Sequence, residues 1–266
     1  MTINLTKTEE QLTNEVMGKI NLSKDKDRLG DKVINLSKTI IDLSKKAEVD
    51  LGNTKAQVVV AIDYSGSMRN MYSDGTVQNV IDKLVPLGLT FDDNGEVEVF
   101  RFETGYKQFE SLTLSNYDGY VKKILDIGSM GGTEYAPVLK EIKRIYLDGE
   151  EKKGLFSFLK KKTPTIGNAS ENPVFIIFIT DGDNSYGDKK ETDAVIRELS
   201  KLNCFIQFVG VGNDNMSYLE KLDDLDGRDC DNTGFVRFKN INNVPDSDLY
   251  ARVLEQFADW LKVRGF

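Results

Sequence analysis

Histidine is absent from all 266 residues. That removes Ser-His-Asp and Cys-His nucleophilic catalysis, imidazole acid–base chemistry, and nearly every zinc site not built wholly from cysteine. Cysteine is scarce: Cys204 and Cys230 stand alone, and Cys204 lies inside the apolar run CFIQFVGV, which reads as a buried core thiol and not as a metal or redox site. Any metal is therefore left to oxygen ligands, which favour hard cations such as Mg²⁺, Ca²⁺ or Mn²⁺. Long apolar runs are missing too, and none approaches the roughly 20 residues of a membrane span. The start, MTINLTKTEEQLTNEV, lacks the basic flank and the apolar block of about 7–15 residues that mark a secretory signal. A soluble protein of the cytoplasm is the expectation. Positive charge is in deficit, with 35 Lys and Arg against 43 Asp and Glu, and the acids are spread along the chain, so a phosphate backbone would be repelled and nucleic acid is excluded as a partner.

What is present divides into two parts. Through residue 53 one pentapeptide recurs, as INLTK at 3–7, INLSK at 20–24 and 34–38, and IDLSK at 41–45. Val33, Leu36, Ile40, Leu43 and Ala47 repeat at steps of three and four, which predicts an amphipathic helix over about 31–49. A shorter helix is expected near 9–20, with Thr8 and Gln11 forming a capping box and Leu12, Val16 and Ile20 the apolar stripe. This N-terminal helical extension packs on the chain's own body or permits self-association. From 54 to 266 the pattern becomes strands separated by helices. QVVVAID (57–63), EVEVFRF (96–102), PVFIIFITD (173–181) and CFIQFVGVG (204–212) are too short for helices and rich in Val, Ile and Phe. Helical stretches are expected at about 77–91, 116–127, 134–147, 188–202, 215–222 and 247–263, with Pro86 interrupting the first. Strand alternating with helix predicts an α/β fold, a doubly wound, mostly parallel sheet with helices on both faces. The segment 150–172, with five lysines and the apolar knot Leu155, Phe156, Phe158 and Leu159, reads as a surface insertion.

Three stretches place small oxygen-bearing side chains after a strand or before a helix. Asp63 ends the first strand and Ser65 and Ser67 follow at steps of two, with Gly66 allowing a tight path, so the three can converge. Thr133 follows the Gly131-Gly132 pair directly before a helix, and Asp181 closes another strand. In an open parallel sheet these stretches face the crevice beyond the carboxyl ends of the strands, where ligands bind. Two carboxylates there call for a divalent cation, with a position left for an incoming oxygen.

At these residues the sequence resembles the von Willebrand factor A domain and its metal-ion-dependent adhesion site. The family's Asp-x-Ser-x-Ser, lone Thr and Thr-Asp-Gly appear in order as Asp63-Tyr64-Ser65-Gly66-Ser67, Thr133 and Thr180-Asp181-Gly182. The resemblance implies that Ser65, Ser67 and Thr133 bind the ion directly and that Asp63 and Asp181 act partly through water. DYSGSMRNMYSDGTVQNVIDKLVPLGLTFDDNGEVEVFRF, LSNYDGYV and GGTEYAPVL are similar to the A domain of bacterial tellurium- or toxic-anion-resistance proteins over about 54–266. Glu134 departs from the uncharged polar residue expected after the threonine, which adds negative charge near the ion.

Other chemistries fit less well. An EF-hand loop starting at Asp181, Asp183 and Ser185 would have Tyr186 where glycine is needed and Thr192 where a bidentate Glu belongs. Asp229, Asp231, Thr233 and Gly234 match better, but Asn240 replaces the Glu. A phosphohydrolase with Asp63 as nucleophile would want an acid at position 65, and the loop GxxxxGK[ST] is absent. The expectation is a non-enzymatic adaptor holding one divalent cation, Mg²⁺ before Ca²⁺ or Mn²⁺. A partner protein would donate a carboxylate to the ion, in tellurite or stress resistance as the resemblance implies. A metal sensor or sequestering protein would use the same residues.

Overall fold

The computed structural model describes residues 6–20, 23–124, 129–148 and 172–266. The lysine-rich segment with its apolar knot lies almost wholly outside the described residues. Six strands form one sheet in the order β3-β2-β1-β4-β5-β6: β1 Gln57–Asp63, β2 Glu98–Phe102, β3 Tyr106–Gln108, β4 Val174–Thr180, β5 Cys204–Val211 and β6 Thr233–Phe238. All neighbours pair parallel except β3, which returns antiparallel along β2. This is the mostly parallel α/β sheet expected, with β3 and β6 added to the four strands read from the sequence.

Period-two alternation splits each central strand between two cores. Val58, Val60, Phe175, Ile177 and Phe205 face one core, which also holds Phe257 and Leu254. Val59, Ala61, Ile176, Phe178 and Phe208 face the other, with Leu139, Ile142 and Val195. On the first face lie α1 (Glu9–Lys19), α2 (Ser23–Ala47), α4 (Thr76–Phe91) and α9 (Asp246–Arg264). On the second lie α6 (Ala136–Tyr146), α7 (Lys189–Leu199) and α8 (Ser217–Asp223). The short helices α3 (Arg69–Ser73) and α5 (Tyr120–Ile124) complete the described set; the rest of the helix expected over 116–127 includes residues outside it.

The N-terminal extension forms as expected at its start. Gln11 N donates to Thr8 Oγ1 at 3.2 Å and Thr8 N to Gln11 Oε1 at 2.8 Å, the capping box that begins α1. Helix α2 begins eight residues before the predicted start at 31, and its stripe of Val33, Leu36, Ile40, Leu43 and Ala47 is buried in the first core against α4 and α9. That face is thus used within the chain. Pro86 does not interrupt α4, which continues to Phe91. The proline removes only the donor to the Asp82 carbonyl, and Thr90 Oγ1 adds a bond to the Pro86 carbonyl at 2.7 Å one turn on. Among the described residues no helix is long and apolar enough to cross a membrane.

Candidate metal centre

β1 ends at Asp63, and the register that sets Ile62 opposite Ile179 brings Asp63 level with Thr180 on β4. Both side chains fall on the α6–α7 face, and both are fully buried. Thr180 Oγ1 donates to Asp63 Oδ2 at 2.6 Å, and the Ser65 N–H to Asp63 Oδ1 at 2.7 Å. From there the polar chain runs outward. Ser65 Oγ lies 3.0 Å from Ser67 Oγ, and Ser67 Oγ donates to Asp181 Oδ1 at 2.9 Å. Ser67 is exposed, whereas Asp63, Ser65 and Asp181 are buried. Four of the five expected residues therefore meet at the carboxyl edge of the sheet, open to solvent on the Ser67 side.

Thr133 joins them through its loop. The Gly66 N–H donates to the Gly131 carbonyl at 3.2 Å, in a bridge that pairs Ser65 with Gly131, and the Ser185 N–H donates to the Thr133 carbonyl at 2.8 Å. Thr133 is half-buried between the stretches that carry the two serines and Asp181. At Gly131 a Cβ would stand 2.5 Å from Glu103 Oε2, so any larger residue there has to displace the Glu103 side chain. Gly66 is different: its φ is not positive and a Cβ would meet open space, so the turn between Ser65 and Ser67 does not depend on glycine.

Electrostatics mark the site as short of positive charge. Burial pushes the Asp63 carboxyl up to about 6, against the pull of the bonds from Thr180 and Ser65, and the Asp181 charge adds to the rise. Burial likewise raises Asp181, with Asp214 adding to the rise and the Ser67 bond opposing it. Two carboxylates and a pair of converging hydroxyls suit a hard cation, which would offset both penalties. Among the described residues no group of three or more His, Cys, Asp or Glu could hold a metal. The candidate set has only two such residues, the remaining donors being hydroxyls. Asp183 is engaged elsewhere, 3.2 Å from Lys189 Nζ and accepting the Tyr218 N–H at 3.0 Å, which leaves little of an EF-hand at Asp181.

Sequence reasoning missed three supports. Asp188, buried before α7, reads locally as that helix's cap; instead its carboxylate accepts the N–H groups of Tyr135 at 2.6 Å and Ala136 at 3.3 Å, capping α6 and fixing the end of the Thr133 loop. The Tyr135 hydroxyl donates to the Gly182 carbonyl. Tyr72 OH donates to the Asp63 carbonyl at 2.8 Å. No spacing signal reveals any of these three sets of bonds, of which those of Tyr135 and Asp188 are long-range.

A family model described as the vWA found in the TerF C terminus matches residues 55–265. The chain belongs to this vWA-TerF-like family. An uncharacterised protein of Bacillus subtilis (strain 168), YcbR, is similar at 34% identity over 232 residues, covering 84% of this chain and 86% of that protein. Among solved structures, the mussel-byssus proximal thread matrix protein 1 with a zinc-occupied MIDAS motif is similar at 17% identity and a TM-score of 0.46, covering 79% of this chain and 48% of that one. The vWA-TerF-like chain thus spans about half the length of the mussel protein. The SpRpn10 VWA domain gives 16% identity and a TM-score of 0.48, covering 74% of this chain and 93% of that one.

Proposed function

We propose that this vWA-TerF-like protein is a non-enzymatic, metal-dependent protein-binding adaptor. Asp63, Ser65, Ser67, Thr133 and Asp181 would hold one divalent cation, Mg²⁺ before Ca²⁺ or Mn²⁺, and a partner protein would complete the coordination with a carboxylate. The observation that carries the reading is the continuous chain from buried Asp63 through Ser65 and Ser67 to Asp181, in which two carboxylates both resist ionisation. The chain's own part is to present oxygen ligands at a sheet edge, keep Asp63 away from water, and leave Ser67 at the surface. The absence of histidine and the engagement of Asp183 and Asp188 in structural bonds support binding over turnover. A cytoplasmic role in tellurite, toxic-anion or general stress resistance belongs to the same proposal and is supported by the TerF relationship alone.

Calorimetric titration of metal-stripped protein with Mg²⁺, Mn²⁺ and Ca²⁺ tests it. One-to-one binding that is lost in a Ser65→Ala/Ser67→Ala variant is the expected result. Binding by the variant equal to wild type, or no binding by wild type, overturns the reading.

A further inference from the structure

We infer that Tyr135 is the positioning residue that fixes the three ligand-bearing segments relative to one another and so sets a preference for Mg²⁺ over Ca²⁺, an inference that rests on the metal-site reading above. Tyr135 is fully buried two residues beyond Thr133 and touches no solvent. Its hydroxyl donates to the Gly182 carbonyl, the residue after Asp181, and stands 3.3 Å from Thr180 Oγ1. Thr180 Oγ1 in turn lies 3.1 Å from the Gly182 carbonyl but only 2.6 Å from Asp63 Oδ2. A threonine hydroxyl has one proton, and the shorter contact to a carboxylate claims it. The Tyr135 proton is then the one that holds the Gly182 carbonyl.

One side chain therefore connects all three segments: Asp63 through Thr180, the Asp181 loop through Gly182, and the Thr133 loop through its own backbone. The ring cannot shift to loosen the link. It is wedged edge-on against Phe102 at 5.7 Å and Phe178 at 4.8 Å, while its N–H is held by Asp188 at 2.6 Å. The consequence for ion choice follows from coordination chemistry. Mg²⁺ requires near-ideal octahedral geometry at about 2.0–2.1 Å, whereas Ca²⁺ accepts irregular shells at about 2.3–2.6 Å. A rigid frame favours the smaller ion, and slack in it penalises Mg²⁺ first.

The test is calorimetric titration of the full chain with Mg²⁺ and with Ca²⁺, comparing wild type with Tyr135→Phe, Thr180→Val and Thr180→Ser. Tyr135→Phe keeps the ring and removes the hydroxyl. Its Mg²⁺ affinity is expected to fall about tenfold or more, the usual cost of losing an outer support, with a clearly smaller loss for Ca²⁺. Thr180→Ser keeps the wild-type ratio of affinities and Thr180→Val does not. A fall in both affinities by the same factor, or no change, overturns the role of Tyr135 and leaves the adaptor reading standing. If Tyr135→Phe does not fold, the Thr180 pair decides, because equal Mg²⁺/Ca²⁺ ratios in Ser and Val variants overturn the inference. Failure of wild type to bind either ion overturns both readings.

Discussion

At the scale of single residues, the site is governed by the cost of burying Asp63 and Asp181. An unfolded carboxylate titrates near 3.9, whereas Asp63 in the folded, metal-free chain is pushed up to about 6. The folded state therefore holds this proton more tightly than the unfolded one. Its contribution to stability is full below about 3.9 and is lost as pH rises through about 6. A bound cation competes with that proton, so metal and proton act in opposite directions. The rise in melting temperature produced by saturating Mg²⁺ is expected to be large at pH 7.5 and to shrink as pH falls through about 6; a shift that stays constant down to pH 5 contradicts the role of Asp63. Asp181→Asn should abolish the Mg²⁺ effect while leaving the chelated protein at least as stable as wild type, because an amide oxygen still accepts the Ser67 bond without a buried charge. Melting curves in chelator and in Mg²⁺ separate the two effects. At this scale the sequence was legible where the spacing is local: Asp63, Ser65 and Ser67 lie within five positions, and their convergence follows from extended backbone at the end of a strand. Thr180 was visible only as a member of the Thr180-Asp181-Gly182 motif, whereas Tyr135 reaches Thr180 across 45 residues and Asp188 reaches Tyr135 across 53, and nothing in the neighbourhoods of Tyr135 and Asp188 announces it.

Among the elements, the strongest periodicities were read correctly and the weakest were not. β1, β4 and β5 are nearly continuous apolar runs because both faces of a parallel sheet are covered there, and β2 carries Val99, Phe100 and Phe102 around the half-buried Arg101. β3 has three residues at an edge, and β6 alternates Phe235 and Arg237 in partial exposure, so neither carries an apolar signal of that strength. The first turns of α2, SKDKDRLG, offer Leu29 as their one large apolar residue, and the helix there is secured by polar links: Arg28 reaches Asp82 on α4 and, at 2.6 Å, Asp118, while its guanidinium lies 4.9 Å from the centre of the Tyr117 ring. With Leu12, Val16, Leu29, Val33, Leu36 and Ile40 all buried in the core shared with α4 and α9, the extension is part of the folded unit's interior. Leu36→Ala is expected to cost about 2–5 kcal/mol in unfolding free energy, the usual range for a buried leucine, read from the urea midpoint. It should leave Mg²⁺ affinity unchanged, since α2 packs on the face opposite α6 and α7. A loss below about 1 kcal/mol would mean that the extension docks too loosely to share that core.

The whole molecule has two dissimilar ends. At the carboxyl edge of the sheet, Ser67, Gly132 and Ser185 are open to solvent beside buried carboxylates. Tyr186, 92% exposed, follows the residue whose N–H holds the Thr133 carbonyl at 2.8 Å. A tyrosine left in water next to the proposed metal site is the kind of rigid aromatic that anchors interfaces. At the opposite edge α9 ends with Arg264 bonded to Asn203 at 2.7 Å just before β5, and neighbouring Val263 is 75% exposed, far from Asp63 and Asp181 at the other end of the strands. The net charge of −8 disfavours nonspecific adhesion to acidic surfaces at either end, so on the proposed reading a partner that donates a carboxylate would be drawn by the cation and by local contacts. A photo-crosslinking phenylalanine at position 186, placed in the full chain in cells, is therefore expected to give discrete protein adducts that disappear on chelation and in the Ser65→Ala/Ser67→Ala background, whereas the same group at position 263 gives none that depend on metal. Adducts at 186 that persist without metal would place the partner surface beside the ion but independent of it; metal-dependent adducts at 263 would move it to the other end of the molecule.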